Sequence, residues 1–152
     1  MTGIEAFTTV KDFLDERKIH YSADEENLVV KMDIQGDDLP LRIILRVLED
    51  RKVVQALAPL AFRVPEDRRM ECAVAVHYAN YGMVNGAFDM DMRDGEIRFR
   101  ATHGYRDTEM SLKQVEYLFN TVLFTADRYH SRLFFLSRGK STLEEFIEEE
   151  ES

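Results

Sequence analysis

A single cysteine, Cys72, stands among 152 residues, which excludes an intramolecular disulfide. No stretch approaches the roughly 20 apolar residues that a membrane-spanning helix needs. Met1 to Lys18 carries Glu5, Asp12, Asp15 and Glu16 among its apolar positions. Without a basic leading segment or a continuous apolar core, it is not expected to be a secretory signal. A reducing, cytoplasmic setting with no membrane partner is the expectation. Basic charge is also scarce, with a net charge of −9. Glu144, Glu145, Glu148, Glu149, Glu150 and Glu151 supply six of those nine, leaving −3 on Met1–Leu143. Such a body lacks the basic footprint of sequence-independent nucleic-acid binding, so no nucleic-acid partner is expected. The glutamate run could mimic a nucleic acid or mask a basic partner, but it reads first as a solvated, mobile acidic tail over 144–152.

The patterns of catalysis and cofactor binding are missing too. Gly82 and Gly86 do not form GxGxxG, and neither a GxxxxGK[ST] loop nor a Gly-x-Ser-x-Gly elbow occurs. His20, His77, His103 and His130 fall on four different expected elements, none within five residues of another His. A zinc site needs ligands that converge, and His77 with Cys72 would do so only by tertiary accident. Cys72 sits on an Ala- and Val-rich face that raises a thiol pKa, which suits a buried structural cysteine better than a nucleophile. Asp89, Asp91 and Asp94 lack the twelve-residue loop and closing Glu of an EF-hand. No catalytic residue, metal or cofactor is expected.

What is present is an ordinary globular composition, 45% hydrophobic and 32% charged. A chain of this length buries roughly two-thirds of its unfolded surface without a staple. With neither repeats nor a linker, 1–143 reads as one domain. Ile4, Phe7, Val10, Phe13 and Leu14 recur at helical spacing from about Ile4 to Lys18. A short extended piece, His20–Ala23, follows. Leu28, Val30, Met32 and Ile34 then alternate with Val29, Lys31 and Asp33. Leu41, Ile43, Leu45 and Val47 alternate with Arg42, Ile44 and Arg46, and Val53–Phe62 makes a third run. Turns at Gly36-Asp37-Asp38 and Asp50-Arg51-Lys52 join the three as an antiparallel meander. Pro59 marks an edge strand, a bulge or the end of the last strand.

Val64-Pro65-Glu66-Asp67 opens a second helix that runs to about Tyr81, with Gly82 as cap. This helix is apolar on two sides. One side is Cys72, Ala75, Val76 and Ala79; the other is Met70, Val74, His77, Tyr78 and Tyr81. The small side suits packing on the sheet. The side rich in Tyr and Met suits contact with a second subunit, unless both pack within one chain.

Asp94-Gly95 between alternating runs predicts a two-residue type I′ hairpin. The expected pairs are Arg93 with Glu96, Met92 with Ile97, Asp91 with Arg98, Met90 with Phe99, and Asp89 with Arg100. That register gathers Phe88, Met90, Met92, Ile97 and Phe99 on one face and opposite charges on the other. Arg93, Arg98 and Arg100, with Arg106 beyond, are candidates for holding a partner's acids, although neighbouring carboxylates compete. Ser111 and Gln114 have capping-box spacing, and the stripe Val115, Leu118, Phe119, Val122, Ala126, Tyr129 and Leu133 follows to about Leu136. Gly139 ends that helix, and Thr142–Glu150 is a weak terminal helix or a frayed tail.

The order helix, three-stranded antiparallel meander, helix, β-hairpin, long helix defines an α+β chain that resembles the YbjN family. The resemblance spans about Ile4 to Leu143. Its residues are Phe62-Arg63-Val64-Pro65-Glu66, Asn80, Gly86-Ala87-Phe88-Asp89, Asp94-Gly95-Glu96-Ile97-Arg98-Phe99-Arg100, Leu112, Gln114, Ala126-Asp127-Arg128-Tyr129 and Gly139-Lys140-Ser141. It implies a type III secretion chaperone-like fold and a non-enzymatic protein-binding module, chaperone-like or regulatory, acting as a homodimer. Members are described as sensory-transduction regulators, a label that names no chemistry. Two partners are expected: a second copy, through Met70, Val74, His77, Tyr78 and Tyr81, and an unidentified protein on Arg93, Arg98 and Arg100 or along a strand edge. The alternative is a small-molecule sensing module, which requires a closed apolar pocket between the long helix and the sheet.

Overall fold

The alternation that begins at Leu28 becomes a six-stranded antiparallel sheet in the computed structural model, which describes Met1–Ser152. Helix α1 (Gly3–Glu16) precedes strands β1 (Ser22–Asp24), β2 (Val29–Gln35), β3 (Pro40–Leu48) and β4 (Val53–Arg63). Helix α2 (Arg69–Tyr81), strands β5 (Ala87–Met90) and β6 (Glu96–Gly104), and helices α3 (Leu112–Ser137) and α4 (Leu143–Glu151) complete the chain. The spatial order is β1-β2-β3-β4-β6-β5. The expected meander therefore gains a strand, because the extended piece after α1 pairs Ser22–Asp24 with Val29–Lys31.

Period two sends Val30, Met32, Ile43, Leu45, Val54, Ala56, Ile97, Phe99 and Ala101 to one face. The α3 stripe, Val115, Leu118, Val122, Ala126 and Leu133, is buried against them in one continuous core. α1 joins with Phe7, Val10, Phe13 and Leu14, and the Phe13 ring meets Phe119 at 5.4 Å. Capping boxes start three of the four helices: Thr2 with Glu5, Ser111 with Gln114 and Thr142 with Glu145. At 26 residues α3 is about 40 Å long. Gly139, at φ +69°, ends it, and Lys140 N–H donates back to the Phe135 carbonyl.

Pro59 lies in a central strand, and the β4–β6 register shifts between it and Arg63. The bulge is the expected alternative that applies. It leaves the Ala61 N–H outside the ladder, and the Nε2 of His130 on α3 accepts it at 3.3 Å. His130 is buried edge-on to Phe62. Its Nδ1 has no hydrogen-bond partner in the chain.

The hairpin departs from its expected register by two residues. Phe88 pairs with Phe99, Met90 with Ile97, Asp89 with Arg98 and Ala87 with Arg100. The loop is four residues wide, closed by Asp91 N–H to the Glu96 carbonyl and Gly95 N–H to the Asp91 carbonyl. A type I′ turn needs positive φ at both central residues, but here only Gly95 has it, at +81°. Side chains reward the wider loop: Asp91 accepts from Arg93 N–H, Asp94 accepts from Glu96 N–H, and Arg63 pairs with Asp94. Val64 N–H also donates to the Gly95 carbonyl at 2.9 Å. A slip of two preserves the faces, so Phe88, Ile97 and Phe99 remain buried while Met92 moves into the exposed loop.

The acidic C-terminus forms the terminal helix that was one of the expected alternatives, and it packs on the body instead of standing free as a solvated run. Leu143, Phe146, Ile147 and Glu150 make its inward stripe, and Phe146 is buried against the core. Burying that ring supplies roughly 1.5–3 kcal/mol. The Arg132 guanidinium lies 4.4 Å from the Phe146 ring centre and 4.9 Å from that of Tyr129. It pairs with Glu149 at 2.9 Å and Glu150 at 2.7 Å, and the Tyr129 hydroxyl donates to Glu150.

Two outcomes follow from these contacts. Gly95→Ala combines a left-handed backbone with a Cβ directed into the Val64 carbonyl. It should cost about 2 kcal/mol or more in urea unfolding. His130 is held neutral because burial lowers its pKa from the ordinary 6.5, against the opposing pull of Asp127 and Asp38. Its contribution to stability is complete above the free-imidazole pKa and is lost as pH falls through the lower folded value. The urea midpoint should therefore drop on acidification, and His130→Gln, an acceptor that does not titrate, should flatten that part of the slope.

Candidate functional site

All packing of α1 and α3 is on one face of the sheet, so the other face stays open. Its rows follow from the register. Val29, Arg46, Gln55 and Thr102 form one row; Lys31, Ile44, Leu57, Arg100 and Ala87 form the next; Pro59, Arg98 and Asp89 form a third. Leu48 faces Val53 at one end. The surface is an apolar centre with long cationic side chains around it. Leu57 is only 4% exposed there although it is outside the main core, shielded by side chains of its own face.

The charge on this face runs against that of the chain. Lys31, Arg42, Arg46, Arg63, Arg98 and Arg100 outnumber the carboxylates Asp24, Asp33, Asp89 and Glu96. Arg42 is satisfied by Asp33 at 3.0 Å. Asp89 takes both Arg100, at 2.8 Å, and Arg98, at 3.3 Å. The Arg100 hydrogen bond holds its carboxyl below the usual range despite partial burial. Arg46 has no carboxylate. Its Nε donates to Gln55 at 2.8 Å, and burial, with Arg98 nearby, holds its pKa below the usual value. A part-buried guanidinium without a carboxylate is a site where an incoming carboxylate gains most.

Arg98 and Arg100 thus sit together on the open face as expected. Arg93 does not join them; it projects from the hairpin loop and pairs with Asp91 at 2.9 Å. Arg106 is on a separate exposed loop after β6. Arg46 belongs to the surface and escaped the sequence reading. Its alternation with buried residues was visible, but the strand alignment that brings it onto one face with Arg98 and Arg100 was not.

The two sheet edges differ. β1 is exposed at all three residues. At β5, the side chain of Asn80 closes the edge: Phe88 N–H donates to its Oδ1 at 2.7 Å, and its Nδ2 donates to the Phe88 carbonyl at 3.0 Å. One amide occupies the pair of groups that an added strand would use.

On α2, Cys72, Ala75, Val76 and Ala79 are buried as expected. Burial pushes the Cys72 thiol up to about 11, with Glu71 adding to the effect. Met70, Val74, His77, Tyr78 and Tyr81 are left exposed, Met70 at 73% and Tyr81 at 88%. The four histidines lie apart: His20 after α1, His77 on α2, His103 on β6 and His130 on α3. Nowhere do three or more His, Cys, Asp or Glu side chains gather as a metal would require. No helix is long and apolar enough to cross a membrane.

This architecture, four helices with a six-stranded antiparallel sheet, is a type III secretion chaperone-like α+β fold. A chain of the HopA1–SchA chaperone–effector complex shares it at TM-score 0.57 and 15% identity, over 83% of this chain and 94% of that one. A chain of the ExsC–ExsE complex shares it at TM-score 0.58 and 17% identity, over 88% and 97%. YbjN from E. coli, described as "a putative transcription regulator", matches at TM-score 0.61 and 9% identity, over 92% and 96%. The YbjN family model, "Putative bacterial sensory transduction regulator", matches residues 7–135. The chain belongs to the YbjN family. No curated protein sequence matches it.

Proposed function

We propose that this chain is a non-enzymatic, chaperone-like or regulatory protein-binding module of the cytoplasm that acts as a homodimer and holds an extended segment of a partner on the open face of its sheet. The observation that carries this reading is the uncovered face itself, with an apolar centre at Ile44 and Leu57 and with Arg46 lacking a carboxylate. Charge complementarity favours an acidic, partly apolar segment. Two structural neighbours come from complexes, one of them a chaperone–effector complex, which supports a protein as the partner. β1, unlike β5, is an edge free to accept a strand. The same charge disfavours self-association through this face, since a two-fold contact would set arginine against arginine.

The dimer contact is assigned to the other exposed apolar surface, Met70, Val74, His77, Tyr78 and Tyr81 on α2. The sensing alternative is less well supported, because core side chains of α3 and the sheet fill the space where its pocket would lie.

Tyr78→Glu should convert a dimer to a monomer in sedimentation equilibrium; an unchanged mass overturns the choice of face. The sheet face is tested by affinity capture from native cell extract with mass spectrometry, comparing the wild type with Arg46→Glu/Arg98→Glu. A single stoichiometric protein held by the first and lost by the second is expected. A protein held equally by both refutes the open face as its seat, and a co-purified metabolite without protein favours the sensor.

A further inference from the structure

α4 lies on the body as a bound peptide lies in a groove. Leu143, Phe146, Ile147 and Glu150 face inward at spacings i, i+3, i+4 and i+7, the anchor pattern of a helix seated in a groove. Of these only Phe146 is fully buried. Its seat has a specific chemistry. Arg132 lies against both the Tyr129 and Phe146 rings, which also touch each other, and donates to Glu149 and Glu150, while Tyr129 donates to the same Glu150. An aromatic ring followed by adjacent acids is what this seat recognises.

The occupant is poorly retained by its own helix. Nine residues are too few for an independent helix in water. Glu144 with Glu148, and Glu145 with Glu149, repel at i, i+4. α4 is joined to α3 through only Arg138–Thr142, which includes the left-handed Gly139. Two surface grooves flank it. One, of about 410 Å³, includes Ala79, Met83 and Tyr129; the other, of about 390 Å³, includes His77, Tyr78 and Tyr81. Both are bounded by Gly82 and Glu150, so displacing α4 merges them.

We propose that the α2–α3 seat centred on Arg132 and Tyr129 is a second protein-binding site, specific for an acidic amphipathic helix with an aromatic anchor, and that α4 fills it as a built-in competitor. The partner is a helix of another protein with the chemistry of Leu143–Glu151. The proposal stands apart from the sheet-face reading, since it does not involve the sheet; its second groove shares His77, Tyr78 and Tyr81 with the exposed side of α2.

The test uses the full chain and a fluorescent peptide of Ser141–Ser152 as the probe. Tethered α4 competes at the high effective concentration of a short linker, so the peptide should bind Phe146→Ala at least ~10-fold more tightly than the wild type. A peptide bearing Phe146→Ala should not bind. Equal binding to both chains, or no binding to a Phe146→Ala chain whose circular dichroism is native, overturns the site. If that variant does not fold, Glu149→Lys/Glu150→Lys loosens α4 without removing its anchor and should show the same gain. Hydrogen exchange on the unaltered chain gives an independent reading: α4 amides should exchange well before those of α3. Exchange of both only in global unfolding refutes a displaceable α4. A dimer that requires Phe146 would assign the seat to α4 of a second copy and overturn the foreign helix.

Discussion

The structure depends on a one-sided burial. α3 presents Val115, Leu118, Val122, Ala126 and Leu133 to the inner residues of the sheet, and α1 completes the same layer. A two-layer domain hides one face of its sheet and leaves the other to water or to a partner. Strand pairing supplies register, but only the helix layer makes that register matter. Once α3 is seated, a one-residue slip anywhere would place valines and isoleucines outside and arginines inside.

That constraint also creates the open surface proposed to bind a partner. The residues rejected by the core are not uniformly polar. Ile44, Leu48, Val53 and Leu57 remain on the outer face, with Arg42, Arg46, Arg98 and Arg100 on the same face. In the proposed binding mode the backbone of this face stays in place and the arginines reorient toward the partner. Arg46, bound to Gln55, has no carboxylate to give up.

Much of this was legible in the sequence, and the gaps have physical causes. Helical and twofold periods identified the α3 stripe and both faces of α2, and Ser111 with Gln114 marked the start of α3 correctly. The hairpin faces were legible but its register was not, because parity is unchanged by a shift of two. What decides between the alternatives is distant: Arg63 and Val64, some thirty residues earlier, grip Asp94 and Gly95. The tail misled for the same reason. Six glutamates read as a solvated run until Arg132 and Tyr129, on another element, donate to two of them. Arg46 became part of the candidate site only through the alignment of β3, β4 and β6, and Asn80 carried no local sign that its amide would stand in for a strand.

The Asn80 clamp gives the sheet a direction of growth. With β5 closed and β1 open, any addition by strand pairing can occur at one side only. Two copies that met edge to edge would have to use β1 twice, as a symmetric pair, and would then present no further free edge. A sheet open at both sides can chain copy after copy into a fibre. By strand pairing alone, this one is limited by a single side chain to assemblies that terminate.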